Sequence, residues 1–137
     1  MNFLRILILT MLIPLSTVQA QNLSDYRWKN RILILSDTDE QFSNATPAVT
    51  TMSKYTEELE ERDFLVLLFK EDTFYTTDFK KTSIKPNQSI PDDFNGYLLI
   101  GKDGGVKTRS AYPIVPEELF SLVDGMPMRR AEIRSNH

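Results

Sequence analysis

Cysteine is missing from the whole of this 137-residue chain. Its absence removes thiol redox chemistry, thioester intermediates and cysteine-ligated zinc, since each needs a thiolate. Disulfide staples are excluded too, even in an oxidising compartment that would permit them. Histidine is nearly missing, the single one being the last residue, His137. A single histidine at that position argues strongly against a serine–histidine triad or a histidine metal cluster. Nor is there an excess of positive charge. The formal net charge of −3 argues against nucleic acid or anionic membrane as the main partner. No apolar run approaches the roughly 20 residues that a membrane-spanning helix takes.

What is present begins with an export signal. Arg5 supplies one positive charge, Ile6 to Leu15 is apolar apart from Thr10 and Pro14, and Ser16 to Ala20 is polar or small. Val18 and Ala20 fit the small-x-small pattern of signal peptidase, so residues 1–20 read as a signal peptide cleaved after Ala20. Pro14 and the short run disfavour the alternative, a retained amphipathic or anchoring helix. With no cysteine after the run, a lipoprotein anchor is excluded. The expected product is periplasmic or extracellular, without a stable membrane anchor. Removing twenty residues from 137 leaves 117 and, with Arg5 gone, a net charge of −4. That is one domain, 21–137, able to fold without metal or disulfide, and no cofactor is expected.

Within it, Gln21 to Lys29 is a polar lead-in. Arg31 to Ser36 holds four consecutive apolar residues without alternation, the pattern of a strand buried on both faces. Asp37 to Ala45 reads as a loop, and Thr46-Pro47 as a helix start with Thr46 as N-cap. Val49, Met52, Thr56 and Leu59 share one face, predicting a helix over 47–62 with Lys54–Glu58 and Glu58–Arg62 as (i, i+4) pairs. Phe64 to Phe69 is a second buried strand. The stretch 70–94 allows either a short helix near 76–82 or an irregular crossover. Gly96 to Gly101 and Val106 to Ser110 flank Asp103-Gly104-Gly105, which reads as a hairpin turn. Pro116, Glu117 and Glu118 open a last helix ending at Gly125, and 126–137 is a basic tail.

Strand–helix–strand implies a right-handed parallel unit. A hairpin and closing helix added to it give a three-layer α/β/α arrangement with a mixed central sheet, the thioredoxin-like order. Three segments carry a resemblance as well: Leu23 to Leu35 with Trp28-Lys29-Asn30-Arg31, Leu99 to Ser110 with Gly101-Lys102-Asp103-Gly104-Gly105, and Leu119 to Glu132 with Met126-Pro127-Met128-Arg129-Arg130. Together they resemble the domain of unknown function 4174 family, found in small exported bacterial proteins and in vertebrate secreted sushi-repeat and matrix proteins. The resemblance implies a thioredoxin-like, somewhat peroxiredoxin-like fold and carries no known reaction. Thioredoxin-like enzymes place catalytic cysteines after the first strand, where this chain reads Ser36-Asp37-Thr38-Asp39-Glu40. Their cis-proline before the hairpin strand is also missing, since Gly96 precedes Tyr97 and Pro91 lies too early.

The candidate site is a basic set: Lys102, Lys107, Arg109, Arg129 and Arg130. Lys107 and Arg109, two apart on a regular strand, would share a face. A tail returning beside the hairpin would add Arg129 and Arg130, making a patch for a carboxylate, a phosphate or an acidic protein surface. The competing reading has Arg129 and Arg130 pairing with Glu132 or Asp124 and pinning the tail. Asp37, Asp39 and Glu40 read as a solvated loop that caps backbone groups, not a calcium site, since the glycine and distal glutamate of such a loop are missing. Between two strands, the glycines after Lys102 read as a turn and not a phosphate loop. Trp28 is expected to pack under the first strand.

These readings favour an exported, non-catalytic binding module for an unknown protein or small anionic ligand. Two alternatives stay open. One is a thiol-independent enzyme using Asp37, Asp39 or Glu40 as acid–base groups. The other is an antioxidant, peroxiredoxin-like role inherited from the fold.

Overall fold

The computed structural model describes residues 21–86 and 90–136. The expected signal peptide, residues 87–89 and His137 lie outside the described residues. Strand β1 (Arg31–Ser36) is the centre of a five-stranded sheet, and all six of its residues are buried. Its unbroken apolar run reflects cover on both faces. On one side β1 pairs in parallel with β2 (Phe64–Lys70), from Arg31 opposite Phe64 to Ser36 opposite Phe69. On the other it pairs antiparallel with β4 (Gly96–Ile100), which pairs antiparallel with β5 (Val106–Ala111). A short strand, β3 (Thr73–Tyr75), adds to β2 opposite Leu68–Lys70 only, so the order is β3-β2-β1-β4-β5.

Side-chain alternation splits the core in two. Leu33, Leu35, Leu68 and Leu99 face the helices α1 (Thr46–Met52) and α3 (Pro116–Asp124), meeting Ala48, Met52, Leu119, Phe120 and Val123. Ile32, Ile34, Leu67, Phe69, Leu98 and Ile100 face the other way, where Leu23 from a 3-10 turn (Leu23–Tyr26) and Ile90 close over them with Phe94 and Ile84. The described part of 70–94 is thus an irregular crossover after β3, with no helix near 76–82.

Four expectations need correction. The helix expected over 47–62 is three pieces: α1, a 3-10 turn (Ser53–Tyr55) and α2 (Thr56–Glu61). The hydroxyls of Ser53 and Thr56 bond back to the carbonyls of Thr50 and Ser53, and Tyr55 leaves helical geometry at φ −119°, ψ 35°. Short polar side chains compete with the helical ladder in this way. The expected pairs are also missing among the described residues: Arg62 bonds the carbonyl of Glu58, not its carboxylate, and turns to Asp124. Thr46 lies inside the helix and Ala45 is its N-cap residue. Finally, the expected tail forms α4 (Pro127–Ser135), with Pro127 at its first turn.

Candidate functional site

β1 begins with a charge. Arg31 is 1% exposed. Its guanidinium grips Glu132 of α4 with two parallel bonds, Nη1 to Oε2 at 3.1 Å and Nη2 to Oε1 at 3.2 Å. Nη1 also donates to the carbonyl of Arg62 at 2.9 Å. The Glu132 carboxylate accepts a third bond, from Lys102 Nζ at 2.6 Å, and Lys102 reaches Asp63 at 2.7 Å. Arg129, one turn earlier on α4, is 2% exposed and donates to Glu61 at 2.7 Å and Asp124 at 3.1 Å. Arg62 clamps the same Asp124 at 2.9 and 2.8 Å and covers the Phe120 ring. Four buried cations therefore share four carboxylates at one end of the sheet. Bidentate, charge-assisted bonds of this kind fix geometry as well as charge.

The carboxylates respond accordingly. Bonds from Arg62, then Arg129, hold Asp124 below the ordinary carboxylate range. Burial works against the ionised form of Glu132, but the bonds from Arg31 and Lys102 outweigh it and lower its pKa as well. Every buried side-chain nitrogen and oxygen among the described residues has a partner.

The five expected basic residues are thereby divided. Lys102 and Arg129 meet, but through Glu132 and inside this network. Lys107 and Arg109 do not share a face. A β-bulge opposite Leu99/Ile100 inserts Lys107 as an extra residue, which reverses its direction relative to Arg109. Lys107 turns to Asp103 at 2.8 Å, whereas Arg109 lies 4.3 Å from the centre of the Phe94 ring on the opposite face. Arg130 is exposed on α4, with no side-chain partner among the described residues. Of the two tail arginines only Arg129 helps pin the tail, beside the hold of Arg31 and Lys102 on Glu132. Sequence reasoning missed Arg31, although an arginine opening a wholly apolar strand marks a buried charge in need of a partner.

A hollow of about 340 Å³ opens beside the network. Arg31, Lys102 and Lys107 line it together with Asp103, the partner of Lys107, and with Met126, Pro127 and Met128. Trp28 lies near by: its backbone N–H donates to the Lys102 carbonyl at 2.6 Å. Contrary to expectation the indole does not pack under β1 but is 64% exposed, because the backbone at Trp28 turns left-handed (φ 68°) and Leu23 and Tyr26 supply the cover instead.

At the opposite end of β1 the acidic loop takes a different form. Asp37 is 1% exposed, so it is not solvated as expected, but it does cap backbone. Its carboxylate accepts from the N–H groups of Asp39, Asn44 and Ala45 and from the Asn44 side-chain amide, all at 2.7–2.9 Å. Asp39 stays at the surface and accepts from the Ser43 and Gln41 N–H groups, with Ser43 the main influence lowering its pKa. Tyr112 donates its hydroxyl to the Ser36 carbonyl at 3.0 Å. Burial, and then the Asp37 charge, push that phenol far above its ordinary range. The neighbouring hollow of about 300 Å³ is walled by Asn44, Pro47, Tyr112 and Ile114 among others, and Asp37 is not in its lining. Among the described residues no three acidic or histidine side chains gather to hold a metal.

Residues 22–132 match the family described as Domain of unknown function (DUF4174). The chain belongs to this family. No curated protein sequence matches the DUF4174 chain. Solved structures do. A reduced 2-Cys peroxiredoxin from Plasmodium vivax superposes with a TM-score of 0.56 at 13% identity, over 80% of this chain and 84% of that one. Thioredoxin peroxidase I from Plasmodium yoelii gives 0.52 at 15% identity, over 80% and 79%. At such identities the likeness concerns fold alone, and it agrees with the mixed sheet: this DUF4174 domain is α/β and thioredoxin-like. Its peroxiredoxin-shaped scaffold carries no cysteine.

Proposed function

We propose that this chain is an exported, non-catalytic binding module, and that its site is the hollow at the charged end of the sheet. The observation that carries the reading is a hollow in which Lys107, exposed and paired with Asp103, stands beside Lys102 and Arg31 and shares the lining with the apolar Met126, Pro127 and Met128. Such a cleft suits an anionic group carried on an apolar body, whether a small carboxylate or an acidic side chain of a partner protein. The N-terminal export pattern supports a periplasmic or extracellular setting. The bonds that occupy the Asp37 carboxylate speak against the alternative of carboxylate catalysis at the loop. The peroxidase named for one neighbour needs separate evidence here, as the chain has no thiol.

Isothermal titration with octanoate and with phenyl phosphate tests the site. Saturable binding is expected for the native chain, and Lys107→Glu should weaken it about tenfold by reversing an unburied charge. Equal binding by both forms would remove the hollow from consideration. A hydrolytic turnover lost in Asp39→Asn/Glu40→Gln would favour the enzyme instead. Cell fractionation with N-terminal sequencing tests export, with Gln21 expected as the first residue.

A further inference from the structure

A second surface, on the far side of β1 from β4, invites a different partner. The sheet has unequal edges. β5 is guarded in the way natural sheets discourage added strands: Lys107 and Arg109 are exposed on it, and the bulge twists it. β3 is bridged on its outer side by Lys81. The first half of β2 has no such protection. β3 covers only Leu68–Lys70, which leaves Phe64 to Leu67 without an outer neighbour among the described residues.

The backbone at that edge is poised to pair. The carbonyls of Asp63 and Phe69 accept from the N–H groups of Arg31 and Asp37, so odd-numbered positions turn their polar groups toward β1. By alternation Phe64 and Val66 turn theirs outward. Neither position carries lysine, proline or a bulge. The half-buried side chains of both enter a hollow of about 430 Å³, whose apolar wall continues with Val49, Met52 and Leu59. The charged residues lining it are Glu60 and Asp78, both carboxylates and both exposed.

We propose that the open half of β2 is a strand-addition site for an extended basic segment of a partner protein. Its backbone would complete the ladder at Phe64 and Val66, alternate apolar side chains would enter the hollow, and the lysines or arginines between or beside them would meet Glu60 and Asp78. Main-chain bonds give such complexes their affinity, while side-chain pockets and charge give the choice of partner. A second copy of this chain fits less well, because it would bring the same two carboxylates against their equivalents.

The probe is a capped peptide alternating lysine and valine, with a glutamate–valine peptide as control, added to the isotope-labelled folded chain. New exchange protection is expected at the Phe64 and Val66 amides, together with affinity about tenfold or more above that of the acidic control. Val66→Pro removes an outward N–H and no bond to β1, so it should abolish protection while the chain stays folded. If that variant fails to fold, Glu60→Lys/Asp78→Lys, altered only at exposed positions, should reverse the preference between the peptides. Lys107→Glu should leave this binding unchanged. Protection elsewhere, equal affinity for both peptides, or no binding would overturn the proposal. A dimer of the free chain that Val66→Pro dissolves would also overturn it, identifying the edge as a self-interface.

Discussion

The two ends of β1 each bury an ionisable side chain, and each end neutralises it differently. At the start, Arg31 is met by Glu132, 101 residues away, within a network of full charges. At the finish, Asp37 is met by N–H groups no more than eight residues away, and partial charges suffice. The difference is one of range. A loop can wrap its own carboxylate with amides, as Asx turns and caps do. A buried guanidinium needs an acceptor fork, and here only a distant helix provides one.

The largest effect should come from Glu132→Ala. It leaves Arg31, with its 1% exposure, short of its counter-ion, and stability should fall by about 3–5 kcal/mol in urea unfolding. If the loss is electrostatic, Arg31→Met added to it should recover much of the deficit; a double variant as unstable as the single would locate the loss in packing. Asp37→Ala should cost about 3 kcal/mol by stranding the Ala45 N–H and its neighbours, and no second substitution at the far end should relieve it. Next comes the contrast of adjacent residues. Arg129→Ala should cost about 2 kcal/mol through its charged hydrogen bonds, whereas Arg130→Ala should stay within about 0.5 kcal/mol. Equal melting temperatures would dissolve the distinction between them.

Acid sharpens the comparison least violently. Glu132 has a folded pKa below its ordinary 4.5, so the unfolded chain binds the proton more readily. Its contribution is therefore present above that value and lost as pH falls through and below it. The urea midpoint should drop on acidification below about pH 4.5, and Glu132→Gln should flatten that fall.

The sequence made the local end more legible than the remote one. Four apolar residues after Arg31 announced a central strand, and the run of Asp37 to Ala45 announced a loop whose carboxylates cap backbone. Hairpin and α3 were legible from Gly104 and from Pro116 with its two glutamates. What stayed hidden depended on distance or on a one-residue irregularity. The bulge that parts Lys107 from Arg109 leaves no mark in the local pattern, and Trp28 is exposed by its backbone despite an aromatic preference for burial. The pairing of Arg31 with Glu132 requires knowing that Pro127–Ser135 is helical and where that helix comes to rest. The unguarded half of β2 could not be read either, because its exposure follows from how short β3 is.

The reach of Glu132 back to Arg31 also orders events in time. Synthesis delivers all five strands before the last helix exists, so a growing chain can assemble its sheet while its first strand still holds an unanswered positive charge. Only the final helix settles it. In a product cut short before residue 132 Arg31 would lack this counter-ion, and the local opening that proteases sample should be more frequent. The helix that carries Glu132 thus completes the charge balance of the first strand.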